Sequence, residues 1–247
     1  MAGGAFPALI AILTMFLIGT AGGLAASAAS ALLLTAIILF SILMTFAATK
    51  LLSVTLLKGV PSSFTLELPP FRRPQVGRVI VRSIFDRTMF VLGRAAAVAI
   101  PAGMLLWVLA NVMVGGDSLL HHCAAFLDPF ARLMGLDGVI LIAFILGFPA
   151  NEIVIPIILM GYLAEGGLCE AGSLLEMRDL FVANGWTWAT AVSVILFFLL
   201  HWPCSTTLLT IKKETGSWKW TALAAALPTV IGVLLCMGFT ALVRCFS

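Results

Sequence analysis

Two short stretches hold the side chains that could do chemistry. Residues 147–156 read GFPANEIVIP and residues 201–206 read HWPCST. The first offers the Asn151 amide and the Glu152 carboxylate. The second offers the His201 imidazole, the Cys204 thiol and the hydroxyls of Ser205 and Thr206. Carboxylate, imidazole and thiolate are donors that a borderline divalent cation accepts. Amide and hydroxyl oxygens can act as neutral partners. Asn151, Glu152, His201, Cys204, Ser205 and Thr206 are the candidate lining of a transport path. Each stretch also interrupts a helix, because Pro149, Pro156 and Pro203 remove backbone donors and Gly147 lets the chain turn.

The surroundings make these residues expensive. Residues 138–146 read GVILIAFIL before the first stretch, and IILMGYL follows it. An ionisable group within a bilayer costs about 2.5–3.5 kcal/mol on insertion scales, so it marks a functional site by default. Blander readings stand beside this one. Proline kinks are common in spanning helices, where Ser and Thr repair the freed backbone. Cys204 could be a small buried hydrophobe, and His201 could simply cap a helix. The triplet His121-His122-Cys123 has ligand composition, but adjacent ligands in a surface hairpin are weak support for a metal site.

Composition explains the elements that must position these groups. The chain has 247 residues, 62% hydrophobic and 10% charged, with net charge +3 and mean hydropathy +1.15. Soluble domains carry about 25% charged residues, so the expected class is an all-α integral membrane protein, a polytopic helical bundle. The cysteines (Cys123, Cys169, Cys204, Cys236, Cys245) form no close pair, which argues against a zinc knuckle or a disulfide framework. No Lys or Arg precedes Lys50, so a cleavable signal with a positive leading region is not expected.

Apolar runs predict spans over Phe6–Leu24, Ala31–Leu57, Ala95–Val114 and Trp218–Val243, with interrupted runs at Gly138–Leu163 and Trp186–Ile211. Three regions follow: a transmembrane hairpin over 1–58, a basic connector with an amphipathic surface helix over 59–94, and a C-terminal gate domain over 95–247. The helix over 75–94 interleaves Val79, Ile84 and Val91 with Arg78, Arg82 and Arg87. Residues 115–137 are expected to form a polar hairpin. The cluster from Lys50 to Arg94 puts the connector on the cytoplasmic face by the positive-inside rule. The 138–163 run then either re-enters on the side it left or crosses with a broken middle; an outside position for 164–185 favours re-entry.

The segments LELPPFRRPQVGRVIVRSIFDRTMFVLGRAAAVAIPAG, LDGVILIAFILGFPANEIVIPIILM and GWTWATAVSVILFFLLHWPCSTTLLTIKKETGSWKWTALAAALPT closely resemble the membrane half of the ferrous iron transport protein B family. The resemblance runs from about Phe6 to the C-terminus. It implies a helical permease with two gate regions that moves Fe²⁺ across the bacterial cytoplasmic membrane, with Fe²⁺ as the transported ion, no tightly bound cofactor, and Cys204 and Glu152, with His201 as a third donor, as the expected metal ligands. Family members carry a cytoplasmic GTP-binding domain ahead of the membrane part. Here no lysine is followed by Ser or Thr, so the phosphate-binding loop G-x-x-x-x-G-K-[ST] is missing. The chain opens MAGGAFPALIAIL, where similar members carry a Cys and an Arg before Phe-Pro. The expectation is the C-terminal part of a split transporter or a truncated product, not itself an enzyme, served by a separate GTP-binding domain or protein. Membrane lipids are the other expected partner, a homo-oligomer is left open, and nucleic acid is excluded. Competing classes are a permease for another solute such as a nucleoside, and a non-transporting subunit or intramembrane hydrolase using Cys204 and His201.

Overall fold

The computed structural model describes residues 24–55, 88–163 and 174–246, together with Phe16 and Gly77. The first predicted span, most of the connector and amphipathic helix over 59–87, and the acidic stretch 164–173 with Cys169 lie outside the described residues. The chain divides into two compact units, Gly23–Gly93 and Met1–Gly22 with Arg94–Ser247.

In the first unit, α1 (Leu24–Thr55) is a 32-residue apolar helix. Its threonines satisfy themselves: Thr35, Thr45 and Thr49 donate to carbonyls four residues back at 2.8, 2.9 and 2.8 Å. That is how a hydroxyl survives inside an apolar helix. Leu32, Leu43 and Phe46 are exposed, which suits a helix surrounded by hydrocarbon.

The second unit, from Arg94 onward, carries most of the next helix and all the later elements. Helix α2 (Phe90–Asn111) runs through Pro101. A two-residue ladder, β1 (Met113–Val114) with β2 (Asp117–Ser118), follows, and Gly115 and Gly116 supply its positive φ values of 65° and 102°. Then come α3 (Leu119–Leu133), α4 (Gly138–Leu146), a 3-10 turn (Asn151–Ile153), α5 (Val154–Leu163), α6 (Leu174–Ala183), α7 (Trp188–Leu200), α8 (Ser205–Thr215) and α9 (Trp218–Phe246). Among the described residues the only strands are that short ladder. The protein is an all-α integral membrane protein.

The expected polar hairpin over 115–137 is corrected: most of it is α3. Ser118 caps this helix, its hydroxyl accepting from the His121 amide at 3.3 Å. Leu120, Ala124 and Ala131 share its buried side. The chain then bends by 107° into α4.

Small residues set the packing. Between lipid-embedded helices, water exclusion gives little drive, so close backbone approach matters most. A Cβ on Gly138 would lie 1.9 Å from the Ala124 carbonyl oxygen, so α3 and α4 touch backbone to backbone. One on Gly161 would meet the Val139 side chain at 2.6 Å, and one on Gly232 would meet Leu200 at 3.0 Å. These contacts bring α5 against α4 and α9 against α7. The core they enclose includes Ile140, Phe144, Ile157, Ile158, Val194 and Phe197, all buried.

Candidate functional site

The first interrupted run is a hairpin with its two ends joined. Asp137 caps α4, its Oδ1 accepting from the Ile140 amide at 2.7 Å. Its Oδ2 accepts from the hydroxyl of Tyr162, near the end of α5. The Trp186 indole donates to the same Tyr162 oxygen at 2.7 Å. The segment therefore enters and leaves at one level, as re-entry requires. Its arms, α4 with 9 residues and α5 with 10, extend about 14 and 15 Å at 1.5 Å per residue. Each is about half as long as a hydrocarbon layer of about 30 Å is thick.

The hairpin tip is residues 147–153. Gly147 caps α4, with its amide donating to the Ala143 carbonyl at 2.8 Å. Pro149 follows, and Asn151–Ile153 form the 3-10 turn. Gly147 is crowded, since a Cβ there would lie 2.5 Å from Val154 and 2.9 Å from the Ala143 oxygen. Pro156 falls in the first turn of α5, where the missing N–H costs least, and the helix runs on through it.

The second run behaves differently. Helices α7 and α8 together make a 28-residue element, Trp188–Thr215, long and apolar enough to cross a membrane. Its interruption at 201–204 is local. His201 closes α7 with φ −75° and ψ 176°, and Pro203 and Cys204 lead into α8. The tip of the hairpin meets this break: the Ser205 amide donates to the Phe148 carbonyl at 2.9 Å. Two helices end here and two begin. That leaves unwound carbonyls and amides at the meeting point of two interrupted runs, an arrangement that transporters use to hold solutes.

The side chains at this junction are unusually short of partners. Among the described residues, seven buried side-chain polar atoms lack one, and four of them belong to the junction: Asn151 Oδ1, His201 Nε2, Trp202 Nε1 and Ser205 Oγ. Native proteins leave few such atoms unpaired, so a concentration of them calls for an explanation. Cys204 is half-buried, its Sγ within 3.2 and 3.1 Å of the hydroxyls of Thr206 and Thr207. Glu152 is exposed on the hairpin tip. Among the described residues no cluster of three or more His, Cys, Asp or Glu side chains could enclose a metal ion. The structure thus places Asn151 on the hairpin tip and His201, Trp202 and Ser205 at the break that the tip touches, with Cys204 and Thr206 at the start of α8 and Glu152 on the tip's exposed side.

A second recess lies at the hairpin foot. A cavity of about 570 Å³ is lined by Asp117, His121, Asp128, Asp137, Tyr162 and Asn184 among others. Asp128 accepts from the Gly138 amide at 3.1 Å and pairs with the Arg132 Nε at 2.5 Å. His122 is engaged with the Ser118 carbonyl at 3.1 Å.

A model of the family described as "Gate: Nucleoside recognition" matches residues 30–218, both breaks included. The chain belongs to the Gate family. Among curated proteins, this Gate chain is 28% identical over 215 residues to the Fe(2+) transporter FeoB of Staphylococcus aureus (strain COL), covering 83% of this chain and 30% of that protein. The Fe(2+) transporter FeoB of Leptospira interrogans is 28% identical over 189 residues, 67% of this chain and 26% of that protein. That of Methanocaldococcus jannaschii is 25% identical over 194 residues, 73% of this chain and 27% of that protein. The Gate chain thus spans less than a third of the length of these relatives. No solved structure matches it.

Several residues that build the Gate junction carry no sequence signal. Phe148 contributes only a carbonyl. Phe144, Phe197 and Phe198 pack around the His201 ring at centroid distances of 5.2, 6.0 and 5.4 Å, and in the sequence they read as ordinary apolar residues. Asp137 was findable, since an Asp before an apolar helical run is a capping pattern.

Proposed function

We propose that this chain is the membrane permease part of a ferrous iron uptake system in the bacterial cytoplasmic membrane. The observation that carries the reading is the junction itself. A half-membrane hairpin touches the break of a crossing helix, and both sides present unpartnered polar atoms there. Similarity to the membrane part of Fe(2+) transporters supplies the solute. Cys204 and Glu152 serve as ligands on the path, with Asn151, His201, Ser205 and Thr206 around them. A sparse donor set suits a conduit, where an ion must bind well enough to enter and weakly enough to leave.

Lys212, Lys213 and Lys219 flank the turn between α8 and α9, so by the positive-inside rule that turn faces the cytoplasm and the hairpin foot faces outward. Energy coupling comes from a GTP-binding domain or protein outside this sequence, the chain acting as one part of a split or truncated transporter. The test is Fe²⁺ uptake in cells lacking other ferrous transporters, with the GTP-binding part co-expressed and uptake normalised to inserted protein. Glu152→Gln should lower uptake while insertion is unchanged; equal uptake would remove Glu152 from the path.

A nucleoside permease is the second reading, favoured by the family description and by the unpartnered Trp202 indole and Asn151 amide at the break. Uptake of a labelled nucleoside, with no Fe²⁺ uptake by the same cells, would select it.

A further inference from the structure

We propose that the Nε2 of His201 is a ligand to the permeating divalent cation, a role that rests on the ferrous-permease reading. The argument starts from the other ring nitrogen. His201 Nδ1 lies 2.7 Å from the Phe198 carbonyl oxygen. A carbonyl can only accept, so Nδ1 carries the proton and donates it. In the neutral ring Nε2 then holds a lone pair and no hydrogen. That lone pair has no partner, although the residue is only 7% exposed.

A backbone carbonyl fixing one imidazole nitrogen while the other stays free is how proteins orient a metal-binding histidine. The ring is also held from its sides. Phe144 and Trp202 stand edge-on to it at 5.2 and 5.9 Å, and Phe197 and Phe198 tilt against it at 6.0 and 5.4 Å. The His201 amide donates to the Phe197 carbonyl at 2.7 Å, which pins the backbone beneath the ring.

The other unpartnered atoms of the two breaks favour a cation over an anion. Of the four unpartnered atoms at the junction, Asn151 Oδ1, His201 Nε2 and Ser205 Oγ can donate electron pairs; only the Trp202 N–H cannot. Ser205 is also only 5% exposed. Imidazole suits divalent iron. The step is a ligand exchange: the Nε2 lone pair forms a bond to the ion, one water of its hydration shell leaves, and the iron stays ferrous.

The sequence makes the test clean, because the chain has three histidines. In a His121→Gln, His122→Gln background, His201 is the remaining imidazole. The full chain, labelled with ¹⁵N-histidine and placed in lipid nanodiscs, is loaded with Mn²⁺ alone and studied by pulsed electron paramagnetic resonance. The expected result is a nitrogen coupling that changes between ¹⁴N- and ¹⁵N-histidine protein. It should vanish on adding His201→Asn, which keeps an N–H near the Nδ1 position and removes Nε2. Fe²⁺ uptake should fall roughly tenfold in His201→Asn and less in His201→Gln, whose amide oxygen can reach the Nε2 position. Both variants should elute as monodisperse protein.

No histidine coupling, no Mn²⁺ bound, or a coupling that survives His201→Asn would each overturn the proposal. Unchanged Fe²⁺ uptake in His201→Asn would overturn it and leave the permease reading intact. A histidine coupling in a chain that moves no Fe²⁺ even with its GTP-binding part would support the ligand and defeat the permease reading.

Discussion

The amide of Ser205 and the carbonyl of Phe148 are hydrogen-bonded at 2.9 Å, which ties the first turn of α8 to the tip of a hairpin more than 50 residues earlier. Ser205 is the first residue of its helix, so its N–H has no partner within that helix. Phe148 lies in the turn where α4 has ended. Each group completes the other in a place where water is scarce.

This bond can be removed selectively. Proline is well tolerated at the first position of a helix, and Cys204 already has the extended φ of −58° and ψ of 155° that a following proline requires. Ser205→Pro should leave α8 intact and strand the Phe148 carbonyl. Relative to Ser205→Ala, it should destabilise the protein by about 1–3 kcal/mol. Thermal unfolding in detergent measures this, and equal stability of the two variants would mean that the bond contributes nothing.

Cys204→Ser exchanges a soft ligand for a hard one with little change of size. The hydroxyl can keep contact with Thr206 and Thr207, so stability should change by less than about 1.5 kcal/mol. Fe²⁺ uptake per inserted molecule should fall, while a nucleoside permease would be nearly indifferent. Normal Fe²⁺ uptake would take the thiol off the ion path.

Gly138→Ala should be among the most damaging single-methyl changes in the chain. The added carbon would fall 1.9 Å from the Ala124 oxygen, and backbone cannot swing aside as a side chain can. Overpacking of this kind costs about 1–3 kcal/mol or more. Gly103→Ala, with open space at its Cβ position, is the control. Comparable melting temperatures for the two would contradict the α3–α4 contact.

The hairpin makes a topological prediction. In a cysteine-free background, Asp117→Cys and Leu175→Cys should both react with an impermeant thiol reagent added outside intact cells, because the ends of 138–163 meet through Asp137 and Tyr162. Glu214→Cys, on the far side of the crossing element, should be protected. Labelling at only one of the first two positions would replace the hairpin with a full crossing.

The sequence announced the breaks, because Gly147, Pro149 and Pro203 act through their own covalent structure. It also announced Glu152 and Cys204, which stand out against hydrocarbon. It could not pair the breaks, since Phe148 joins Ser205 through the backbone, which is the same for every residue. The Asp137–Tyr162 contact spans 25 positions, and nothing local chooses that partner. The α3 segment reads as a polar hairpin in the sequence, whereas the Ser118 cap and the buried Leu120, Ala124 and Ala131 make it a helix. Which ring nitrogen of His201 is free was not legible for a related reason: only the position of the Phe198 carbonyl decides it.

The three-residue chain Asp137–Tyr162–Trp186 has a mechanical consequence. It clamps the hairpin at its foot, while one backbone bond joins Phe148 at the tip to Ser205. The hairpin is therefore tied by polar bonds at both ends, with Phe144 packed against Phe197 and His201 along its length. A single backbone hydrogen bond contributes about 0.5–1.5 kcal/mol net, within reach of thermal agitation. Breaking that one bond would leave every clamp contact intact, so the foot and the tip of the hairpin are held by separate sets of polar bonds.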